Sequence, residues 1–138
     1  MDRADEIWTG SKTQRAALRA RFDGRCGYCG EVMQKMHADH IKPVIRVTTD
    51  PGGERLPVDQ QRMVRPELNT VANVMPCCGP CNISKGGYGL EEWRALLARS
   101  AEIVAREKSI FRAAVRFGLI RVVDEPVIFH FERKGATK

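Results

Sequence analysis

The order of apolar and polar positions divides the chain into a helical start, two short extended segments and a helical end. Ser11 stands where a helix cap belongs, and Ala16, Ala17, Leu18, Ala20 and Phe22 suit a helix over residues 12–22. With its cap and Asp23, this N-terminal helix occupies residues 11–23, and Gly24 stops it. Apolar stretches within residues 32–41 and 71–75 predict two strands. Further on, Trp93, Leu96, Leu97, Ile103, Val104, Ile110, Phe111 and Val115 recur at helical spacing. They predict two helices, broken near Ser100 or Ser109 and stopped by Gly118. Residues 119–123 and 127–131, on either side of Asp124-Glu125-Pro126, predict a C-terminal β-hairpin.

A long connection, residues 44–70, separates the two predicted strands, with a strong turn at Asp50-Pro51-Gly52-Gly53 and breaks at Pro57 and Pro66. Such a length predicts a functional or mobile loop, or one with local structure of its own. Its Arg46, Arg55, Arg62 and Arg65 suit either phosphate contact or simple solvation. The whole chain of 138 residues is sized for a single domain, 1–138. Its composition, 43% hydrophobic and 29% charged, excludes disordered and collagen-like classes. No apolar run approaches the roughly 20 residues of a membrane helix, so no membrane partner is expected. Met1 to Glu6 lack the features of an export signal, which leads to a cytoplasmic expectation. The net charge of +6 permits a polyanionic partner without identifying one. Residues 94–138 hold ten Lys/Arg against five Asp/Glu, so most of the excess lies in the last third.

Five cysteines change the picture more than charge does. Cys26-x-x-Cys29 and Cys78-x-x-Cys81 are matched pairs, and two such pairs complete the tetrahedral sulfur shell that zinc accepts. The gap between them far exceeds that of an ordinary zinc ribbon, so tertiary structure must bring the second pair back. Redox or simply buried thiols are the alternative, though no βαβ pattern of a redox site surrounds either pair. Cys77 can stand in for Cys78 as a ligand. Cys78 is preferred because it repeats the spacing of the first pair, which leaves Cys77 as a small buried apolar residue.

Between the pairs lie Met36-His37-Ala38-Asp39-His40-Ile41-Lys42-Pro43 and then Asn73-Val74-Met75-Pro76-Cys77-Cys78-Gly79-Pro80-Cys81-Asn82-Ile83-Ser84-Lys85-Gly86-Gly87. This arrangement resembles the zinc-knuckle HNH endonucleases: Cys-x-x-Cys, Asp-His-Ile-x-Pro, then Asn five residues before Cys-x-x-Cys-Asn-x-x-Lys-Gly. The match spans the core motif, residues 26–86, and leaves a C-terminal helical and hairpin extension, 88–138, without motif support. The resemblance implies an α+β fold: a ββα-metal core stapled by a four-cysteine zinc site, with flanking helices and the terminal hairpin. It puts Asp39-His40 on or beside the first strand, Asn73 on the second and Asn82 at the helix.

The same resemblance implies hydrolysis of DNA phosphodiesters, with one strand nicked per site. Asp39 and Asn82 then bind a catalytic divalent ion, Mg²⁺ or Mn²⁺ among others, while Cys26, Cys29, Cys78 and Cys81 hold structural Zn²⁺. His40 is the general base, Asn73 orients the histidine segment, and Lys85 contacts phosphate or backbone. These residue types suit the reaction. A hard cation takes sparse oxygen ligands and neutralises phosphate, and histidine titrates near neutral pH. Adjacent strand residues point to opposite faces, so Asp39 and His40 converge only at a bulge or a strand end. Lys42, Arg99, Arg106, Arg112 and Arg116 are the expected backbone contacts on DNA, with a solvated mixed face as the alternative. His37 suits a strand histidine or an auxiliary metal group. His130 reads as structural or surface, and Trp8, Trp93 and the tyrosines as core, with base stacking as the alternative. The expected setting is a bacterial or phage-infected cell, with phage packaging or processing proteins as partners; monomer and dimer stay open. The rival reading is a zinc-stapled DNA-binding or phage-complex interaction module without catalysis.

Overall fold

The computed structural model describes residues 5–133 and residue 135. Its chain forms two compact units, one made of the residues up to Gly89 together with those from Phe129 on, the other Leu90–Ile128. The architecture is α+β, mixing helices with two small antiparallel sheets.

In the first unit, helix α1 (Lys12–Ala20) starts where Ser11 Oγ accepts from the Gln14 amide at 3.1 Å. It ends two residues before the expected Phe22, because Asp23 and Gly24 both take positive φ and turn the chain into the first cysteine knuckle. Leu18 and Phe22 bury against the core. Strand β1 (His37–His40) is shorter than residues 32–41. Val32 instead bridges back to Arg25, and the Met33 amide bonds the Gly24 carbonyl, which closes the knuckle. Within the long connection, β2 (Arg46–Val47) pairs with β3 (Arg62–Met63), so the loop carries local structure. Strand β4 (Val74–Cys77) pairs antiparallel with β1, His37 opposite Cys77 and His40 opposite Val74. Asn73 is not on this strand: it closes a 3₁₀ turn, Val71–Asn73, immediately before it. Helix α2 (Gly79–Lys85) follows at once and contains Asn82.

β4 is buried along its whole length, and its Pro76 carbonyl accepts from the Gly27 amide at 2.8 Å. That bond ties the first knuckle to the strand leading into the second, and it explains how pairs 49 residues apart meet. Gly27 permits the approach, since a Cβ there would lie 3.2 Å from the Pro76 oxygen.

The second unit consists of α3 (Leu90–Ala98), α4 (Ser100–Glu107) and α5 (Ser109–Arg116). The expected helical stretch thus breaks at both candidate serines, not one, because Arg99 and the extended Lys108 each interrupt the helical backbone. Gly118, at φ 75°, ends the run as expected. The C-terminal hairpin does not form. Residues 121–129 are irregular, and His130–Glu132 make a 3₁₀ turn. The backbone bonds that a hairpin would use go to the first knuckle: the His130 amide to the Tyr28 carbonyl and the Phe131 amide to Gly27, both 2.8 Å. Phe129 and Phe131 stack on each other and meet Tyr28 edge-on, and Phe129 is buried there. Among the described residues, no helix is long and apolar enough to cross a membrane.

Candidate functional site

The sulfurs of Cys26, Cys29, Cys78 and Cys81 all lie within 4.8 Å of one another. Cys26 and Cys29 come from the glycine-rich knuckle, Cys78 caps α2 and Cys81 sits on its first turn. Amides of Tyr28 and Cys29 point at Cys26 Sγ, each 3.4 Å away. Hydrogen bonding from Cys81 draws the Cys26 thiol down to about 4, while burial pushes Cys29 up to about 11. The bond to Cys26 raises Cys81 well above an ordinary thiol. Four soft donors converging on one point are compatible with a structural metal such as zinc. Cys77 is outside the cluster: as the last residue of β4 it is fully buried, and burial raises its thiol too.

Beside α2 opens a cleft of about 820 Å³, with Asp39, His40 and Asn82 in its wall together with His37 and Trp8. β1 pairs in regular register without a bulge and ends at His40. Of the two features expected to allow convergence, the strand end is the one present. Asp39 is nearly buried, and its Oδ2 accepts from the Tyr28 hydroxyl at 2.6 Å and from Lys85 Nζ at 3.0 Å. Burial and then the Asp39 charge push the Tyr28 phenol far above its ordinary range. Oδ1 takes no partner among the described residues, yet no buried side-chain oxygen is left unsatisfied, so Oδ1 opens to solvent.

Of the two contacts expected of Lys85, to phosphate or to backbone, the structure shows the one to backbone. Lys85 has no exposed surface, and its ammonium donates to Asp39 and to the His40 carbonyl at 3.0 Å, so it braces β1 from below. His40 Nε2 lies 2.8 Å from Asn69 Oδ1. Asn69 Nδ2 donates to the Trp8 carbonyl, so its oxygen faces the imidazole and accepts from Nε2–H, leaving Nδ1 with the free lone pair. Asn73 grips the two residues after the histidine: its backbone oxygen takes the Ile41 amide, and its side chain bonds both the amide and the carbonyl of Lys42. A further bond from Nδ2 to the Leu68 carbonyl ties that grip to the long connection.

The other basic residues divide between the cleft, the long connection and the helical unit. Arg15, Lys35 and Arg46 line the cleft, whereas Lys42 is exposed away from its lining. Arg65 is paired with Glu67 at 2.7 Å. In the helical unit Arg99 faces Glu102, and Arg112 donates to the carbonyls of Ala105 and Arg106 at the end of α4; Arg106 and Arg116 are exposed. His130 packs edge-on against Phe22. Sequence reasoning missed Asn69, Arg15 and Lys35, and gave Tyr28 no polar role. Asn69 alone carried a signal, being a second asparagine four residues before Asn73. No protein-family model matches the chain, and no curated protein or solved structure is significantly similar to it.

Proposed function

We propose that the chain is a metal-dependent DNA endonuclease of the HNH type, with β1, β4 and α2 as its ββα-metal unit and zinc on the four cysteines. The observation that carries the reading is one cleft wall holding a carboxylate with a free oxygen, a histidine held in one tautomer and an amide on the facing helix. A divalent ion held by Asp39 Oδ1 and Asn82 would neutralise the phosphate and stabilise the departing 3′ oxygen. His40 Nδ1 takes the proton of the attacking water, and Asn69 directs the one proton of the neutral ring to Nε2. Asn73 fixes the turn that aims the ring. Arg15, Lys35 and Arg46 hold the flanking backbone phosphates.

Supercoiled plasmid tests the reading. Wild type nicks it with Mg²⁺ or Mn²⁺ and stops with chelator, while Asp39→Ala and His40→Ala leave it closed. Intact plasmid with every metal, or undiminished cutting by His40→Ala, refutes it. A second reading, an interaction module in a phage complex, draws support from Ile110, Phe117, Leu119 and Val123, all exposed on the helical unit. It expects no cleavage and no salt-sensitive DNA binding.

A further inference from the structure

Three donor groups in the cleft wall have no hydrogen-bond partner among the described residues: the His37 imidazole, Asp39 Oδ1 and the Asn82 side chain. Strand alternation puts His37 and Asp39 on the same face of β1. That face looks at α2, because Asp39 meets Lys85 and a Cβ on Gly79 would lie 3.6 Å from His37 Nε2. Asn82 stands three residues from Gly79 and three from Lys85, hence on the same side of the helix and midway along it. The amide therefore sits between the imidazole and the carboxylate along the shared face. We infer that His37 is a third protein ligand of the divalent-ion site, and that the site selects a transition dication of the Mn²⁺, Co²⁺ or Ni²⁺ kind over Mg²⁺.

Donor chemistry carries the selectivity. Mg²⁺ binds through hard oxygen ligands and strong negative charge. Here the single carboxylate already faces a fully buried ammonium through its other oxygen, so little uncompensated charge remains. An imidazole nitrogen favours first-row transition ions, rising from Mn²⁺ through Co²⁺ to Ni²⁺. The inference rests on the endonuclease reading of Asp39 and Asn82 as metal ligands, and it adds both a ligand and a preference.

Titration calorimetry of the full, zinc-loaded chain with Ni²⁺ tests it, with zinc content measured before and after to show that the cysteines keep their metal. Wild type is expected to bind Ni²⁺ at one further site and Mg²⁺ far more weakly. His37→Ala and His37→Gln weaken Ni²⁺ at least about tenfold and leave Mg²⁺ unchanged. Mn²⁺ bound to the wild type shows nitrogen coupling by pulsed electron spin resonance; the coupling persists in His40→Ala and vanishes in His37→Gln. Wild-type Ni²⁺ affinity in both His37 variants, with loss in Asp39→Asn, overturns the inference and leaves the endonuclease site standing. Absence of any further Ni²⁺ site, with plasmid left intact, overturns both.

Discussion

Lys85 carries a full charge with no exposed surface, 3.0 Å from both Asp39 Oδ2 and the His40 carbonyl. Removing one partner of a buried pair strands the other charge, which costs about 3–5 kcal/mol. Lys85→Met is expected to lose that much in urea denaturation, and adding Asp39→Asn to it should restore most of the loss because no charge is then stranded. A motif position reads as phosphate-binding from sequence because spacing says nothing about depth. Only packing beneath β1 puts this ammonium out of reach of solvent. Asn69 shows the opposite limit: its only mark in the sequence is its place four residues before Asn73, yet it sets the His40 tautomer through a 2.8 Å bond. Asn69→Ala should lower the cleavage rate on the order of 10²-fold, with KM and zinc content unchanged, measured by plasmid nicking over a range of DNA concentrations. A matching fall in zinc content would instead mark Asn69 as a folding residue.

The elements around the cysteines were the most legible part of the chain. Ser11 caps α1, Asn82 falls on α2 and the pairs meet, because each feature depends on residues close in sequence or on matched ligand spacing. Cys77 and Cys78 were separable only by structure: one ends β4 in the core and the other begins the turn into α2. Cys77→Ser should therefore keep full zinc content while losing about 1–3 kcal/mol for its buried hydroxyl. Cys78→Ser should lose the metal, as atomic absorption would report. The thiols also predict proton release on metal binding. In the metal-free chain Cys29 and Cys81 hold their protons at pH 7, being raised, whereas Cys26 is already a thiolate, being lowered to about 4. Zinc displaces the held protons, so loading acidifies weakly buffered solution, and affinity falls as pH falls because protons compete for the same sulfurs. Affinity flat from pH 8 to about pH 5 would contradict this. The terminal hairpin failed for a different reason. Its strand pattern was genuine, but the backbone partners of His130 and Phe131 lie far upstream, at Tyr28 and Gly27.

Across the molecule, charge along the chain and charge around the cleft disagree. The last third holds most of the net positive charge, yet part of it is spent locally, Arg99 on Glu102 and Arg112 on the end of α4. The first 93 residues are nearly neutral overall but gather Arg15, Lys35 and Arg46 at the cleft. For a phosphate-binding cleft, the double change Lys35→Glu with Arg46→Glu should weaken duplex binding by His40→Ala protein. It should also reduce the salt slope by about one for each lost phosphate contact. Arg106→Glu with Arg116→Glu should do less; an equal or larger effect in fluorescence anisotropy would move the grip to the helical unit.

The sequence by itself determined the cysteine pairs, the caps and stops of the helices and the short motifs, because these depend on neighbours a few residues apart. Tertiary structure decided what those groups touch. It buried Lys85, freed one oxygen of Asp39, brought Asn69 to His40 and put His37 beside α2. Each of those outcomes is a contact across 29 to 46 residues of chain or between elements packed face to face. Such contacts follow from how β1, β4 and α2 pack, and that packing is a property of the folded whole.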